Sequence, residues 1–189
     1  MTSKITQLKV ESDNIIKYSI KLTENGLFHE ARELMREAIS DSPDANLLKE
    51  AARVVSSMTS YNEAIGYLKD AAELENHKNA ETYSDMARCV YRYGDKERNK
   101  TEGMEYAKKA LSINQYCANA WLNKGNFHQD AGFAEQAKEC YDKALTYNKE
   151  LSGAYNNLGN LLYQENKFED SCFQFLNGLN IDPQDEDIL

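Results

Sequence analysis

The C-terminal part of the sequence repeats itself at a fixed distance. Residues 120–145 and 154–179 have equal length, and small and aromatic residues recur in them at matching places. Trp121 corresponds to Tyr155, 34 residues later. The same offset separates Gly125 from Gly159, Tyr141 from Phe175, and Leu145 from Leu179. A period of this length predicts a stack of small, similar units rather than one irregular core.

The repeat extends backwards through the chain and gives five units. A small residue marks the same place in each unit, namely Ser19, Ala52, Ala87, Gly125 and Gly159. The spacing places the units at residues 12–44, 45–79, 80–117, 118–151 and 152–185. They would form one domain, preceded by a lead-in at residues 1–11 and followed by an acidic tail at 186–189.

Each unit has the periodicity of two amphipathic helices. In the fourth unit, Trp121, Gly125 and His128 follow the spacing i, i+4, i+7. A break at Gly132 precedes a second helical pattern, and breakers occupy other turns at Asn25-Gly26, Gly94 and Asn166. Small residues at the crossing let two antiparallel helices approach closely. The sequence therefore predicts stacked helix pairs.

The repeat resembles the tetratricopeptide repeat. The stretch AYNNLGNLL…FEDSCFQFLNGLNIDP, at 154–183, carries the aromatic, Leu-Gly, small, aromatic, small and Pro elements of that repeat. Ser171 and Gly178 replace its two alanines. The resemblance implies an all-α fold, a right-handed α-solenoid of five tetratricopeptide units. It also implies a non-catalytic scaffold for protein–protein interaction that binds a peptide or partner segment in its concave groove.

Composition and spacing disfavour several other classes of function. The net charge of −9 disfavours nucleic acid, whose phosphates repel an acidic surface. No run approaches 18 consecutive apolar residues, so we predict no membrane-spanning segment. Four cysteines stand singly, which favours thiols in a reducing, cytoplasmic compartment. No phosphate-binding loop, nucleophile motif or metal-ligand spacing occurs, so we expect neither an enzyme, a metal site nor a cofactor.

The resemblance places the first helix of each unit on the concave wall, where asparagines recur on the face turned away from the second helix. In the fourth and fifth units this face carries Asn119, Asn123, Asn126, Asp130, Gly153, Asn157, Asn160 and Gln164. Each amide donates and accepts, so it can bond a peptide backbone of any sequence. Asn123 and Asn157 are similar to the asparagine ladder in the tetratricopeptide part of O-GlcNAc transferase. We expect the asparagines of this face to bind a ligand without contributing to stability.

Arginines on the same face of earlier units form a second candidate site. Arg53, Arg88 and Arg92, with Lys49, would make a basic patch for an acidic side chain, a phosphate or a C-terminal carboxylate. The alternative is internal pairing with Glu50, Glu81 and Asp85. The carboxylate clamp of co-chaperones that hold heat-shock chaperone tails is absent, since only Asn123 matches its pattern.

The fifth unit carries apolar residues that no later helix of this chain covers, namely Phe173, Leu176, Leu179 and Ile181. Exposed residues of this kind indicate self-association, a partner, or a longer protein. Two alternatives to the peptide-binding scaffold follow. One is a structural adaptor that forms homo-oligomers through its fifth unit, and the other is a tetratricopeptide fragment of a larger enzyme.

Two further expectations concern local structure. The third unit has eight residues, DKERNKTE, between Gly94 and Gly103, where the fourth unit has four. We expect a longer charged turn there, followed by a helix that starts at Asn99. Trp121 is expected in the core, and Trp121→Ala should cost about 3–5 kcal/mol if the indole is fully buried.

Overall fold

The computed structural model describes residues 2–58, 60–93 and 100–183. Within these ranges the chain forms ten α-helices and no β-strand, which confirms the predicted all-α fold. None of the described helices is long and apolar enough to cross a membrane. The helices are α1 (Thr2–Glu24), α2 (Phe28–Asp41), α3 (Ala45–Ser57), α4 (Tyr61–Leu74), α5 (Ala80–Tyr93), α6 (Lys100–Ile113), α7 (Ala118–Asp130), α8 (Ala134–Tyr147), α9 (Ser152–Gln164) and α10 (Phe168–Ile181).

The helices form five antiparallel pairs that stack in chain order. Each odd-numbered helix packs on the even-numbered helix that follows it. Consecutive odd-numbered helices also approach one another with Cα atoms within 8 Å, whereas consecutive even-numbered helices in the described ranges do not. Elements on the inside of a curved stack lie closest together, so the odd-numbered helices form the inner wall and the even-numbered helices the outer surface.

The turns inside the units lie at the predicted breakers. Gly26 and Gly132 have φ angles of 75° and 80°, in the left-handed region that glycine adopts without a steric cost. Asn166 takes the same conformation in the fifth unit, with φ at 61°. Gly94, predicted for the third unit, lies outside the described residues.

Two helix starts refine the expected boundaries. Helix α1 begins at Thr2, so its backbone is already helical through the segment that the spacing set apart as a lead-in. Helix α6 begins at Lys100, within the inserted stretch 95–102, while residues 94–99, Asn99 among them, lie outside the described residues. The tail at 186–189 lies outside them too. We keep the five-unit division as a proposal, with one helix pair in each unit.

Small residues occupy the crossings between paired helices, as predicted. Gly159 lies against the ring of Phe175, and a Cβ atom placed on that glycine would lie 2.6 Å from the ring atom Cε1. Gly125 makes the same close approach to Tyr141 one unit earlier. The second small position of each unit is buried, as at Ala137 and Ser171. These contacts fix the angle between the helices of each pair.

Tyr141, rather than Trp121, is the large aromatic residue at the centre of the fourth unit. Tyr141 is fully buried, whereas Trp121 is only half-buried. The ammonium groups of Lys143 and Lys124 lie 4.3 and 5.0 Å from the Trp121 ring centroid, and its indole N–H donates to the carbonyl of Gln115 at 2.8 Å. The condition of full burial is not met, so Trp121→Ala should cost less than 3–5 kcal/mol.

Candidate functional site

An open groove of about 400 Å³ lies on the inner wall, where α5, α7 and α9 follow one another. It gathers most of the site residues predicted from the sequence, namely Arg88, Arg92, Asn123, Asn126, Asn157 and Asn160. Asn119 and Arg53, which were also predicted, do not line it. The spacing within single helices therefore predicted one site from residues that are up to 72 positions apart (88 to 160).

Asn123 takes part in the scaffold that joins the third and fourth units. Its side chain is only 4% exposed. Its amide nitrogen donates to the backbone carbonyl of Ser84 at 2.9 Å and to the Ser84 hydroxyl oxygen at 3.0 Å. This differs from the expectation that the scaffold does not need the asparagine face, because Ser84 on the preceding unit uses the amide.

Asn126 and Asn157 link the fourth and fifth units along the same line. The amide nitrogen of Asn157 donates to the amide oxygen of Asn126 at 2.7 Å. That oxygen also accepts from the hydroxyl of Tyr141 at 3.1 Å, and the hydroxyl lies 2.6 Å from Oε1 of Gln129. The Asn126 amide nitrogen and the Asn157 amide oxygen have no partner among the described residues, so one donor and one acceptor remain on the groove wall.

Asn160 and Asn119 lie on either side of this central pair. Asn160 is exposed, and its amide nitrogen donates to Oδ1 of Asn156 at 3.2 Å within α9. Asn119 is exposed near the start of α7, and its amide nitrogen donates to Oε2 of Glu81 on α5 at 3.2 Å. Asn119 thus bridges two units outside the groove, whereas Asn160 extends the polar lining along α9.

The three predicted arginines do not form one continuous patch. The guanidinium of Arg53 donates to both carboxylate oxygens of Glu50, at 2.7 and 2.8 Å, and Arg88 donates to Asp85 at 2.8 Å. Arg92 is exposed and makes no hydrogen bond or ion pair with any described residue. Internal pairing, the alternative given for the sequence, therefore applies to Arg53 and Arg88. Arg92 remains as a cation that can bind a ligand.

Three lining residues were missed in the sequence, namely Tyr91, Leu122 and Asn156. The spacing i, i+4, i+7, i+11 follows one narrow strip of a helix, and these residues lie just beside it. Leu122 and Asn156 are 34 positions apart, so a wider strip applied to both units would have found them. Tyr91 packs edge-on against Phe127 with ring centroids 5.5 Å apart, and burial raises the pKa of its phenol.

Among the described residues, the groove lining contains no carboxylate, thiol or imidazole. No group of His, Cys, Asp and Glu among the described residues could hold a metal ion. His128 lies elsewhere on α7, where burial and the positive charges of Lys124 and Lys108 lower its pKa. Burial raises the pKa of the Cys117 thiol to about 11. What the groove offers is hydrogen bonding by amides and the cation of Arg92, which pairs with no described residue.

Comparison with known proteins identifies the family. A sequence model of the tetratricopeptide repeat matches residues 118–151 and 152–185, which hold the helix pairs α7–α8 and α9–α10. An uncharacterized protein of Methanocaldococcus jannaschii is 35% identical over 78 residues, which cover 41% of this chain and 86% of that protein. The chain belongs to the tetratricopeptide repeat family.

Other tetratricopeptide repeat proteins resemble this chain over different lengths. Tetratricopeptide repeat protein 6 of Homo sapiens is 30% identical over 91 residues, which cover 48% of this chain and 17% of the human protein. The crystal structure of a thermophilic TPR protein from Thermus thermophilus matches with a TM-score of 0.77 at 20% identity, over 94% of each chain. That likeness shows the same fold. Tetratricopeptide repeats generally form non-catalytic scaffolds, and they indicate a role in protein–protein interaction here.

Proposed function

We propose that the groove binds an extended segment of a partner protein. The observation that carries the proposal is the pair of unused amide groups on Asn126 and Asn157, one a donor and one an acceptor. An extended peptide presents N–H and C=O groups at regular intervals, so it can bond both amides whatever its side chains. Leu122 adds an apolar surface beside them.

The charges of the groove favour an acidic segment. Arg88 and Arg92 line its α5 end, none of the described lining residues carries a carboxylate, and the α9 end carries neutral asparagines. Arg92 has no ion pair with a described residue, so it can bond a carboxylate or phosphate without first breaking an internal contact. We infer that the ligand places its anionic group beside α5 and its backbone along α7 and α9.

The affinity of such a site depends on several weak bonds acting together. A neutral hydrogen bond contributes about 0.5–1.5 kcal/mol net, so two amides alone give weak binding. We therefore expect micromolar rather than nanomolar ligands. As in the sequence-based prediction, we place the protein in the cytoplasm, on the basis of its singly spaced cysteines.

Selection from a library of random linear peptides displayed on phage tests this proposal. We expect the selected peptides to be acidic and to bind the variant Asn126→Ala with Asn157→Ala about 5- to 150-fold more weakly, as two lost hydrogen bonds predict. Arg92→Ala should weaken acidic peptides more than neutral ones.

Asn62→Ala provides the matched control, because Asn62 is exposed on the outer helix α4. It should leave the affinity of every selected peptide unchanged. Equal binding by the groove variant and by the Asn62 variant would show that the peptides bind elsewhere.

A further inference from the structure

The outer surface of α10 carries two large apolar side chains. Phe173 is 62% exposed and Leu176 is 59% exposed. They are three positions apart, so they lie on one face of the helix. Side chains this exposed cover no part of the described core.

The repeat shows that these two residues lie at places that are exposed in other units of the stack. Phe173 and Leu176 correspond, 34 residues earlier, to Glu139 and Asp142 on α8. In the first and third units the same places hold Glu33, Arg36, Glu105 and Lys108. All six are exposed although another unit follows each of them. Exposure is therefore usual at these places of the stack, although the guanidinium of Arg36 also reaches Glu63 of the following unit.

The fifth unit therefore has apolar residues at exposed places that hold charged residues in the first, third and fourth units. Leu179, which was grouped with them in the sequence, is half-buried and corresponds to the half-buried Leu145. Ile181 is only 36% exposed. The apolar face proper is thus narrower than the sequence indicated. Phe173 and Leu176 are its centre.

This face is self-complementary. Glu169, Phe173, Leu176 and Asn180 follow the spacing i, i+4, i+7, i+11 and lie on one line along α10. We propose that this line packs antiparallel against the same line of a second copy of the chain. Each Phe173 then meets Leu176 of the second copy, and each Glu169 meets Asn180 of the second copy. Two-fold symmetry produces such reciprocal contacts from a single surface.

The charges agree with this occupant. Antiparallel packing puts each Glu169 carboxylate beside a neutral amide at the far end of the neighbouring helix, so the two carboxylates do not meet. Parallel packing would place them together. One helix face buries less than the roughly 800 Å² per partner of a standard interface, so we expect a dimer that dissociates on dilution.

Cross-linking through Cys172 can detect this antiparallel arrangement. It is exposed on α10, whereas Cys89, Cys117 and Cys140 are buried. In the antiparallel register the two Cys172 residues lie on the same flank, five residues or about 7.5 Å apart along the helix axis. A thiol-specific cross-linker about 10 Å long can join them, because packed helix axes are about 8–10 Å apart.

The test combines the solution mass of the purified chain with this cross-link. We expect the mass to rise from monomer to dimer with concentration, and the cross-link to form only where the dimer does. Leu176→Glu should abolish both, while Asp142→Ala, at the equivalent place on α8, should abolish neither. Circular dichroism identifies any variant that fails to fold, and Phe173→Gln then serves in its place.

Three results would overturn the proposal. They are a monomer at every concentration, a dimer unaffected by both the Leu176 and the Phe173 substitution, and a dimer whose Cys172 residues cannot be joined. The groove is lined from α5, α7 and α9, so the peptide-binding proposal stands or falls separately. Peptide affinity should be the same in Leu176→Glu as in the unchanged chain.

Discussion

Consecutive units of this solenoid are joined by different chemistry on its two surfaces. On the outer surface, Arg32 and Arg36 on α2 reach Glu63 on α4, with N–O distances of 2.7 and 3.1 Å. On the inner wall, Asn123 bonds Ser84 and Asn157 bonds Asn126. Neighbouring helices are farther apart outside than inside, so this outer contact needs arginine, whereas an amide is long enough for the inner contacts of the third, fourth and fifth units.

The distance between neighbouring helices therefore determines whether an ion pair or an amide hydrogen bond joins them. Ion pairs on a half-exposed surface respond to pH and salt, whereas buried amides respond to neither. The asparagine bonds of the inner wall should therefore be insensitive to pH, whereas the bridge from Arg32 and Arg36 to Glu63 adds a pH-dependent contribution on the outer surface. Substitutions on the two surfaces should therefore differ in the size of their effect and in its pH dependence.

The inner wall depends most on Tyr141, which is fully buried and holds Asn126 through its hydroxyl. Tyr141→Ala should destabilise the chain by about 3–5 kcal/mol in urea unfolding, because it empties the core of the fourth unit. Tyr141→Phe keeps the ring and should cost only about 1 kcal/mol. Phe175→Ala is the control, since Phe175 is half-buried at the equivalent place and should cost less than Tyr141→Ala.

Asn123 serves the fold, whereas Asn157 keeps a group available to a ligand, so substitutions of the two should differ in their effect on stability. Asn123→Ala should lower the free energy of unfolding by about 1–2 kcal/mol, because it removes two buried hydrogen bonds to Ser84. Asn157→Ala, at the equivalent half-buried place, should cost less than about 1 kcal/mol. Equal losses of unfolding free energy from the two substitutions would contradict the distinction between Asn123, which serves the scaffold, and Asn157, which is available to a ligand.

The outer bridge should weaken in acid. Partial burial acts to raise the pKa of Glu63, but hydrogen bonds and charges from Arg32 and Arg36 outweigh it, so the pKa is lowered. A carboxyl whose pKa is lower in the folded state contributes stability that is complete above its unfolded value of about 4.3. This contribution is lost as the pH falls through the folded value. Glu63→Gln should thus be less stable than the unchanged chain at pH 7, by less than about 1 kcal/mol, and should lose less stability between pH 5 and pH 3.

The smallest effect on stability is expected at Arg92. Arg92→Ala should change the melting temperature within error, because the guanidinium makes no ion pair or hydrogen bond with a described residue. Arg53→Ala is the contrast, since Arg53 holds Glu50, which is only 8% exposed. A clear loss of stability in Arg92→Ala would mean that this cation serves the fold and not a ligand.

Periodicity was enough to predict the fold and much of the groove lining. The recurrence of small residues gave the helix crossings, Gly26, Gly132 and Asn166 gave the turns, and the face of α7 and α9 away from their partner helices gave four asparagines of the groove. It failed for Trp121, which recurs at a core position yet is half-buried between two lysines. A repeat pattern shows which face of a helix turns inward, but it does not show how deeply each copy is covered.

The amino-acid sequence by itself determined an all-α stack of helix pairs, because the positions of small, apolar and turn-forming residues are local properties of each unit. Only the tertiary structure decided which polar residues serve the scaffold. Asn123 and Ser84 are 39 positions apart, and Arg32 and Glu63 are 31 apart. Whether two such side chains meet depends on the gap between neighbouring helices, which the curvature of the whole stack sets.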